Sequence, residues 1–344
     1  MHPEFDPEAA LAPNGRYFGF PYTEEEASLL LVSVPWDVTT SYRPGAAKGP
    51  QAIRQASLQL DFYDFEIPDA FMSGIGTSDF SLSGPIRELS ERLRPLAEQV
   101  MEKGEENAKE ALKEVNAGSE QVNEWLYDTS ARLLKEGKHV GVVGGDHSCP
   151  LGLMRALGEK YGKFGILHID AHADLRRAYE GFTFSHASII YNALGLPHVE
   201  KVVQAGVRDV CQSEQDLVKA SRGRILQFPD IKLQERLGEG ENWGDLCREI
   251  IAALPRKVYV SFDIDGLNPS LCPHTGTPVP GGLEFGQVRR LLSLLRQSGK
   301  QIIGFDLCEV APDPENPQDE WDGNVGARVL YMLCNTLLAS SPVS

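Results

Sequence analysis

Three times in this chain a short apolar run ends in a cluster of aspartates and histidines. His139–Val143 leads into Gly144-Gly145-Asp146-His147-Ser148, Phe164–Ile169 into Asp170-Ala171-His172-Ala173-Asp174, and Val258–Phe262 into Asp263-Ile264-Asp265. Apolar runs of this length read as buried strands. Alternate residues of an extended segment point the same way, so Asp170, His172 and Asp174 can converge, and so can Asp263 and Asp265. With His147 that makes two imidazoles and four carboxylates. Carboxylates packed together repel strongly unless cations sit between them, and two divalent ions would neutralise four. A lone DxD or HxD reads as well as a loop or capping pair. Three clusters at predicted strand ends instead fall where open α/β sheets place their ligands.

The remaining sequence continues the alternation. A first strand is expected over Ser28–Val34, closed by Pro35-Trp36-Asp37, and a helix near Gln51–Ser57 opened by Gly49-Pro50. Residues 84–136 are rich in Glu, Lys, Ala and Leu and predict two or three amphipathic helices. Their charges read as a solvated face. Beyond the first cluster the expected helices are Leu151–Tyr161, Ser188–Leu194, Ser213–Ala220, Asn242–Ala253, Glu284–Gln297 and Gly323–Leu338. Between them come strands at Val199–Ala205, Arg224–Phe228 and Gln301–Leu307. Repeated βα alternation predicts an α/β fold with a mainly parallel sheet and helices on both faces. No linker or repeat divides the chain, so residues 1–344 are expected to form one domain, with an irregular arm at 1–27 and a helical insertion at about 84–136.

Composition excludes several classes. A formal charge of −16 argues against nucleic acid as a partner. No apolar run approaches a membrane span, and Met1–Asn14 is acidic and contains proline, unlike a secretory signal. The six cysteines show no zinc-like spacing, which fits a reducing cytoplasm. Cys149, Cys272 and Cys308, beside the motifs, read as small packing residues.

At these clusters the chain resembles the ureohydrolases, the family of arginase, agmatinase and other guanidine-hydrolysing enzymes. The motifs are GGDHS at Gly144–Ser148, DAHAD at Asp170–Asp174, SFDID at Ser261–Asp265, the stretch Gly276–Leu283, and the RPG…GP..IR signature at Arg43–Arg54. The resemblance implies a three-layer α-β-α fold, a dinuclear manganese centre, and hydrolysis of a guanidino group with release of urea. It implies that His147, Asp170, His172, Asp174, Asp263 and Asp265 hold the metals, with Asp170 and Asp263 bridging. Glu309 matches the carboxylate that pairs with the substrate guanidinium, and His186 the loop histidine assigned to proton transfer. Asp174 or Asp265 would relay the proton that the leaving amine needs. Two positions depart from the family pattern: Asn268 replaces an aspartate and His274 a glycine.

The donor set of carboxylates and imidazoles suits Mn²⁺ and also accepts Ni²⁺. The expected substrate is small and cationic: agmatine or a related guanidino compound first, free guanidine as the alternative, then formimidoylglutamate and arginine. Glu180 could meet a distal ammonium, while Trp36, Phe182 or His274 could close a short pocket. A single-zinc deacetylase would need fewer carboxylates, and a non-catalytic homologue would have lost ligands. A homo-oligomer, trimer or hexamer, is expected by resemblance, with the 84–136 helices near a subunit contact to cover their apolar stripe.

Overall fold

The computed structural model describes residues 5–8, 12–316 and 318–340. In chain order its elements are β1 (Leu29–Val34), α1 (Gly49–Ala56), β2 (Ile75–Thr77), α2 (Gly84–Lys103), α3 (Lys109–Lys135), β3 (His139–Gly144), α4 (Leu151–Tyr161), β4 (Phe164–Ile169), α5 (Ile189–Leu194) and β5 (Val199–Ala205). There follow α6 (Gln212–Ala220), β6 (Ile225–Phe228), α7 (Asp230–Gly238), α8 (Trp243–Ala252), β7 (Lys257–Asp263), α9 (Phe285–Gln297), β8 (Gln301–Cys308) and α10 (Trp321–Ser340). The strands form one sheet in the order β2-β1-β3-β8-β7-β4-β5-β6, and every neighbouring pair is parallel.

Period-two alternation divides the core into two. Leu29 and Leu31, Leu167 and Ile169, and Val258, Val260 and Phe262 face one side, packed with residues of α1 and α7–α10. Leu30, Val32 and Val34, Phe164 and Ile166, and Tyr259 face the other, packed with residues of α2–α6. Both faces of the central strands are buried, which explains their nearly continuous apolar runs. The result is the three-layer α/β fold.

Register is what positions the site. Val143 of β3 pairs with Leu307 of β8, Leu307 with Phe262 of β7, and Phe262 with Ile169 of β4. One residue further along, Gly144, Cys308, Asp263 and Asp170 therefore stand in a row at the C-terminal edge of the sheet. The GGDHS turn runs unusually close to its neighbour. A Cβ on Gly145 would lie 1.8 Å from the carbonyl oxygen of Trp36, so only glycine fits there.

The 84–136 region forms two helices, broken at Gly104, whose φ of 78° a glycine adopts freely. Their apolar stripe is covered inside the chain: Leu89, Leu93, Ala97 and Val100 of α2, and Val115, Val122, Leu126 and Leu133 of α3, share a core with Leu30, Val32 and Val34 of β1. Each fully buried leucine or valine contributes roughly 1.5–3 kcal/mol, so this docking is strongly favoured. The stripe is thus no reason to place these helices at a subunit contact.

Two elements were not foreseen. Strand β2 has only three residues and sits at the sheet edge, too short to show a period. Helix α7 begins directly after Pro229, at the end of β6, in a stretch for which the sequence predicts no element. The described residues before β1 are irregular apart from short turns such as the 3-10 turn at Tyr17–Gly19, but their aromatic side chains are not a free arm. Phe18 and Phe20 pack against Phe62, and Phe18 also against Tyr331 of α10. No helix among the described residues is long and apolar enough to cross a membrane.

Candidate active site

The row of strand ends brings the six expected metal ligands of the three motifs together. His147 Nδ1 stands 3.1 Å from Asp170 Oδ2, 3.2 Å from Asp263 Oδ2 and 3.3 Å from Asp174 Oδ2. His172 Nδ1 stands 3.1 Å from Asp265 Oδ2 and 3.5 Å from Asp170 Oδ1. Among the described residues three groups of donor atoms could each hold a metal ion: His147, Asp306 and Cys308 form one, and the other two are His147, His168, Asp170 and Asp174, and His172, Asp170 and Asp265. The last two share Asp170, whose Oδ2 faces His147 and whose Oδ1 faces His172. Three carboxylate oxygens converge on His147 Nδ1, which carries at most one proton. Acceptors outnumber donors, and a divalent ion with oxygen and nitrogen ligands answers that imbalance.

Burial sharpens the problem. Asp170, Asp174, Asp263 and Asp265 are all buried, and His172 is the only member a quarter exposed. Burial, with the charges of Asp265 and Asp170, pushes the Asp263 carboxyl well above its usual range. Burial and the neighbouring Asp170 raise Asp174 to about 6. Burial would depress the His147 imidazole, yet its four aspartate neighbours hold it well above the ordinary value. A metal-free cluster therefore carries a standing electrostatic cost. Two of its residues are also strained: Asp174 has a φ of 52° and Glu309 one of 63°. Such conformations cost about 1–3 kcal/mol and persist where the surroundings enforce them. The Glu309 N–H donates to Gly145 O at 2.8 Å, and Tyr191 N–H donates to Asp174 O at 3.0 Å.

Glu309 lies beside the cluster, its Oε1 accepting the His147 N–H at 2.9 Å. Burial and the charge of Asp146 push its carboxyl well above the usual range. His186 accompanies it from a different loop. Its N–H donates to Thr39 Oγ1 at 3.1 Å, and Thr39 Oγ1 donates to Asp146 Oδ2 at 3.1 Å. Burial, helped by positive charge on His172, pushes the His186 imidazole down to about 4, so it is neutral at physiological pH. A cavity of about 410 Å³ opens beside His186. His172 and Asp174 form part of its wall together with His186, and Tyr42, Tyr179, Arg176, Asp209 and Glu214 complete much of it.

The arginase-family model matches residues 27–334, which includes every element of this site. The chain belongs to the arginase family. It is 34% identical over 292 residues to N(1)-aminopropylagmatine ureohydrolase of Thermus thermophilus, covering 84% of each chain. It is 30% identical to the agmatinase of Klebsiella pneumoniae, covering 85% of this chain and 82% of that one. Among solved structures, proclavaminate amidino hydrolase from Streptomyces clavuligerus superposes with a TM-score of 0.75 at 24% identity, over 97% of this chain and 100% of that one. This arginase-family chain is accordingly a metal-dependent amidinohydrolase, and its buried His/Asp cluster fits divalent ions.

Five expected substrate contacts do not line its cavity: Glu309, buried beside the cluster, and Trp36, Phe182, His274 and Glu180. Trp36 and Phe182 are buried in the core with α2 and α3, because their rings fill space beneath the loops rather than at their tips. His274 is held away by Asp322, its Nδ1 2.7 Å from Asp322 Oδ2. Glu180 is exposed, at a turn closed by the Tyr179–Phe182 hydrogen bonds. Sequence reading also passed over His168, Ser261 and Asp306, all wholly buried. His147 Nε2 lies 2.9 Å from Ser261 Oγ and 3.3 Å from Asp306 Oδ1. Parity was the missed signal. His168 and Ser261 each stand two residues before a motif aspartate and so share its face. Cys149, Cys272 and Cys308 are buried free thiols, as packing residues should be.

Proposed function

We propose that this chain hydrolyses the guanidino C–N bond of a small cationic compound, with agmatine or a related amine-tailed guanidine as substrate and urea as product. The observation that carries the reading is the cavity, whose wall joins the carboxylate–imidazole cluster to His186 and to open solvent. Two divalent ions held by His147, Asp170, His172, Asp174, Asp263 and Asp265, Mn²⁺ first and Ni²⁺ as the alternative, supply when bound a Lewis acidity that makes water nucleophilic near neutral pH. Asp170, which belongs to two of the donor groups, and Asp263, beside His147, would both be ligands. Glu309 orients the substrate cation by charge-assisted hydrogen bonding. Water adds to the guanidinium carbon, the bond to the amine nitrogen breaks, and the amine leaves with the proton that water gave up. Asp174 or Asp265 carries that proton, and neutral His186 exchanges it with solvent.

Relatives named for agmatine and for aminopropylagmatine support an amine tail. Free guanidine would suit a short, closed pocket, and Trp36, Phe182 and His274 do not close this one. Arginine would need partners for an α-carboxylate and an α-ammonium at once. Arg176 on the cavity wall lies over the Tyr179 ring at 4.7 Å, already engaged. A urea-release panel of agmatine, aminopropylagmatine, guanidinobutyrate, guanidine and arginine, reconstituted with Mn²⁺ or Ni²⁺, tests the assignment. Arginine is expected at least about 100-fold poorer in kcat/KM than the best amine-tailed compound, the effect of unmatched buried polar groups. Comparable turnover of arginine would sink the assignment.

His186→Ala is expected to lower turnover about 10- to 100-fold, the low end of general acid–base effects, while leaving the bound metal unchanged. Full activity in that variant would make His186 a bystander. The whole of 1–344 acts in this reading as one ureohydrolase domain, and the free thiols of all six cysteines support a cytoplasmic setting. A homo-oligomer belongs to the same proposal. Its support is now a surface away from α2 and α3, where Tyr63 and Phe65 are 63% and 82% exposed beside Phe285 and Met332.

A further inference from the structure

Behind the cluster a row of hydrogen-bonded side chains crosses the sheet, fully buried at His168 and Gln204 and half-buried at its outer glutamines. His168 of β4 and Gln204 of β5 are both fully buried. Gln204 Nε2 lies 2.9 Å from His168 Nδ1 and donates to Ala173 O at 2.7 Å. Gln204 Oε1 accepts from Gln227 Nε2 of β6 at 2.9 Å, and Gln227 Oε1 accepts from Gln215 Nε2 of α6 at 2.9 Å. Parallel register makes this possible, since His168 pairs with Gln204 and Gln204 with Gln227.

The direction of this row is fixed by one group that cannot donate. A backbone carbonyl only accepts, so the Gln204 amide must turn its nitrogen toward Ala173 O. The reversed amide would set oxygen against oxygen there, and would meet Gln227 Nε2 with a second donor. With its nitrogen so placed, Gln204 offers a proton to His168 Nδ1. That ring nitrogen must then be the acceptor, and the neutral ring carries its proton on Nε2. Nε2 is the nitrogen 2.8 Å from Asp170 Oδ2, close enough for electrostatic attraction although the ring N–H is not aligned for a hydrogen bond. A protonated Nε2 has no lone pair for a metal, although its position beside His147, Asp170 and Asp174 would otherwise suit a ligand.

We infer that Gln204 is a positioning residue that locks His168 in its Nε2–H form, making His168 a proton-bearing neighbour of Asp170 and not a metal ligand. The inference rests on the reading that the cluster holds divalent ions. Groups hydrogen-bonded behind a ligand set its orientation and basicity, and their loss typically costs 10- to 100-fold in metal affinity. The outer glutamines act only by holding Gln204, so their effect should be smaller.

Two variants and two measurements test it. Gln204→Glu keeps the shape but offers acceptors alone, so it calls for a proton on His168 Nδ1. Gln227→Leu removes only the outer partner. Mn²⁺ affinity is measured by chelator competition, and the His168 ring nitrogens are followed by ¹⁵N NMR of histidine-labelled, Zn²⁺-loaded protein, assigned by their loss in His168→Asn. The expected result is an Nε2–H ring in the parent, a changed protonation pattern in Gln204→Glu, and Mn²⁺ binding at least about tenfold weaker there than in the parent. Gln227→Leu should weaken binding less. A parent ring bare at Nε2, or Gln204→Glu binding Mn²⁺ as the parent does, overturns the inference alone. A parent that binds no Mn²⁺ overturns the metal reading and this inference with it. Should Gln204→Glu fail to fold, the parent's ring protonation still decides.

Discussion

Asp263→Ala and Asp170→Ala should each lose at least one of two bound divalent ions and lower turnover by more than about 1000-fold, as the removal of several kcal/mol of metal assistance requires. Asp170 presents one oxygen to each imidazole of the cluster, 3.1 Å from His147 and 3.5 Å from His172. Asp263 faces His147 at 3.2 Å, and its Oδ1 accepts the Asp265 N–H at 2.8 Å. Neither loss can be made good by a neighbour, because the remaining carboxylates already face an imidazole or a backbone N–H. Metal analysis and urea release on the same preparation read the two effects together. Stability separates them from misfolding. Burial and the charges of Asp265 and Asp170 make an ionised Asp263 costly in the metal-free protein, so deleting it relieves repulsion as it opens a small cavity. Metal-free Asp263→Ala should therefore melt within a few degrees of the metal-free parent. Full retention of two ions by either variant would show that these aspartates do not bridge.

The site was legible because its residues obey a local rule. Each motif begins where an apolar run ends, and each run is a central strand, so the spacing within a motif survives folding. What the spacing does not carry is register. Only the pairing of Val143, Leu307, Phe262 and Ile169 sets the three motifs side by side. The cavity wall was less legible for the same reason. Arg176, Tyr179 and Asp209 come from loops whose paths depend on their contacts, and nothing periodic marks them. Trp36 looked like a pocket residue because it follows β1. It is instead core, beneath a turn so tight that its carbonyl excludes a side chain at Gly145.

Amphipathic helices posed the opposite difficulty. The stripe on α2 and α3 was plain in the sequence, but a stripe says only that something covers it. A partner subunit and the chain's own sheet leave the same pattern. The leucines and valines on this stripe meet β1, an answer that requires knowing that the 84–136 block returns to the face opposite α1 and α10. Buried polar groups such as His168 and Gln204 were hidden for a related reason. A strand buried on both faces reads as apolar, and one histidine or glutamine within it carries meaning only when its cross-strand neighbour is known.

Glu309→Gln should abolish turnover of every guanidino compound while two ions stay bound. The structure gives this variant an unusually clean reading. Glu309 Oε1 accepts the His147 N–H at 2.9 Å, and a glutamine oxygen can accept the same bond. The strained backbone at φ 63° is held by the Glu309 N–H on Gly145 O and by Thr275 Oγ1 donating to Glu309 O at 2.9 Å, neither of which involves the side chain. The substitution therefore removes a charge without removing a support. In the metal-free protein, burial and the Asp146 carboxylate oppose ionisation of Glu309, and a guanidinium beside it would reverse that balance. A neutral amide can offer the cation one hydrogen bond but no charge, and loss of one such preorganised group costs at least about 100-fold in turnover. Turnover with agmatine and with guanidine should fall together, since both present the same cation to this carboxylate. If one substrate kept its rate while the other lost it, Glu309 would be a contact to the tail, and the guanidinium would have to be placed elsewhere along the cavity.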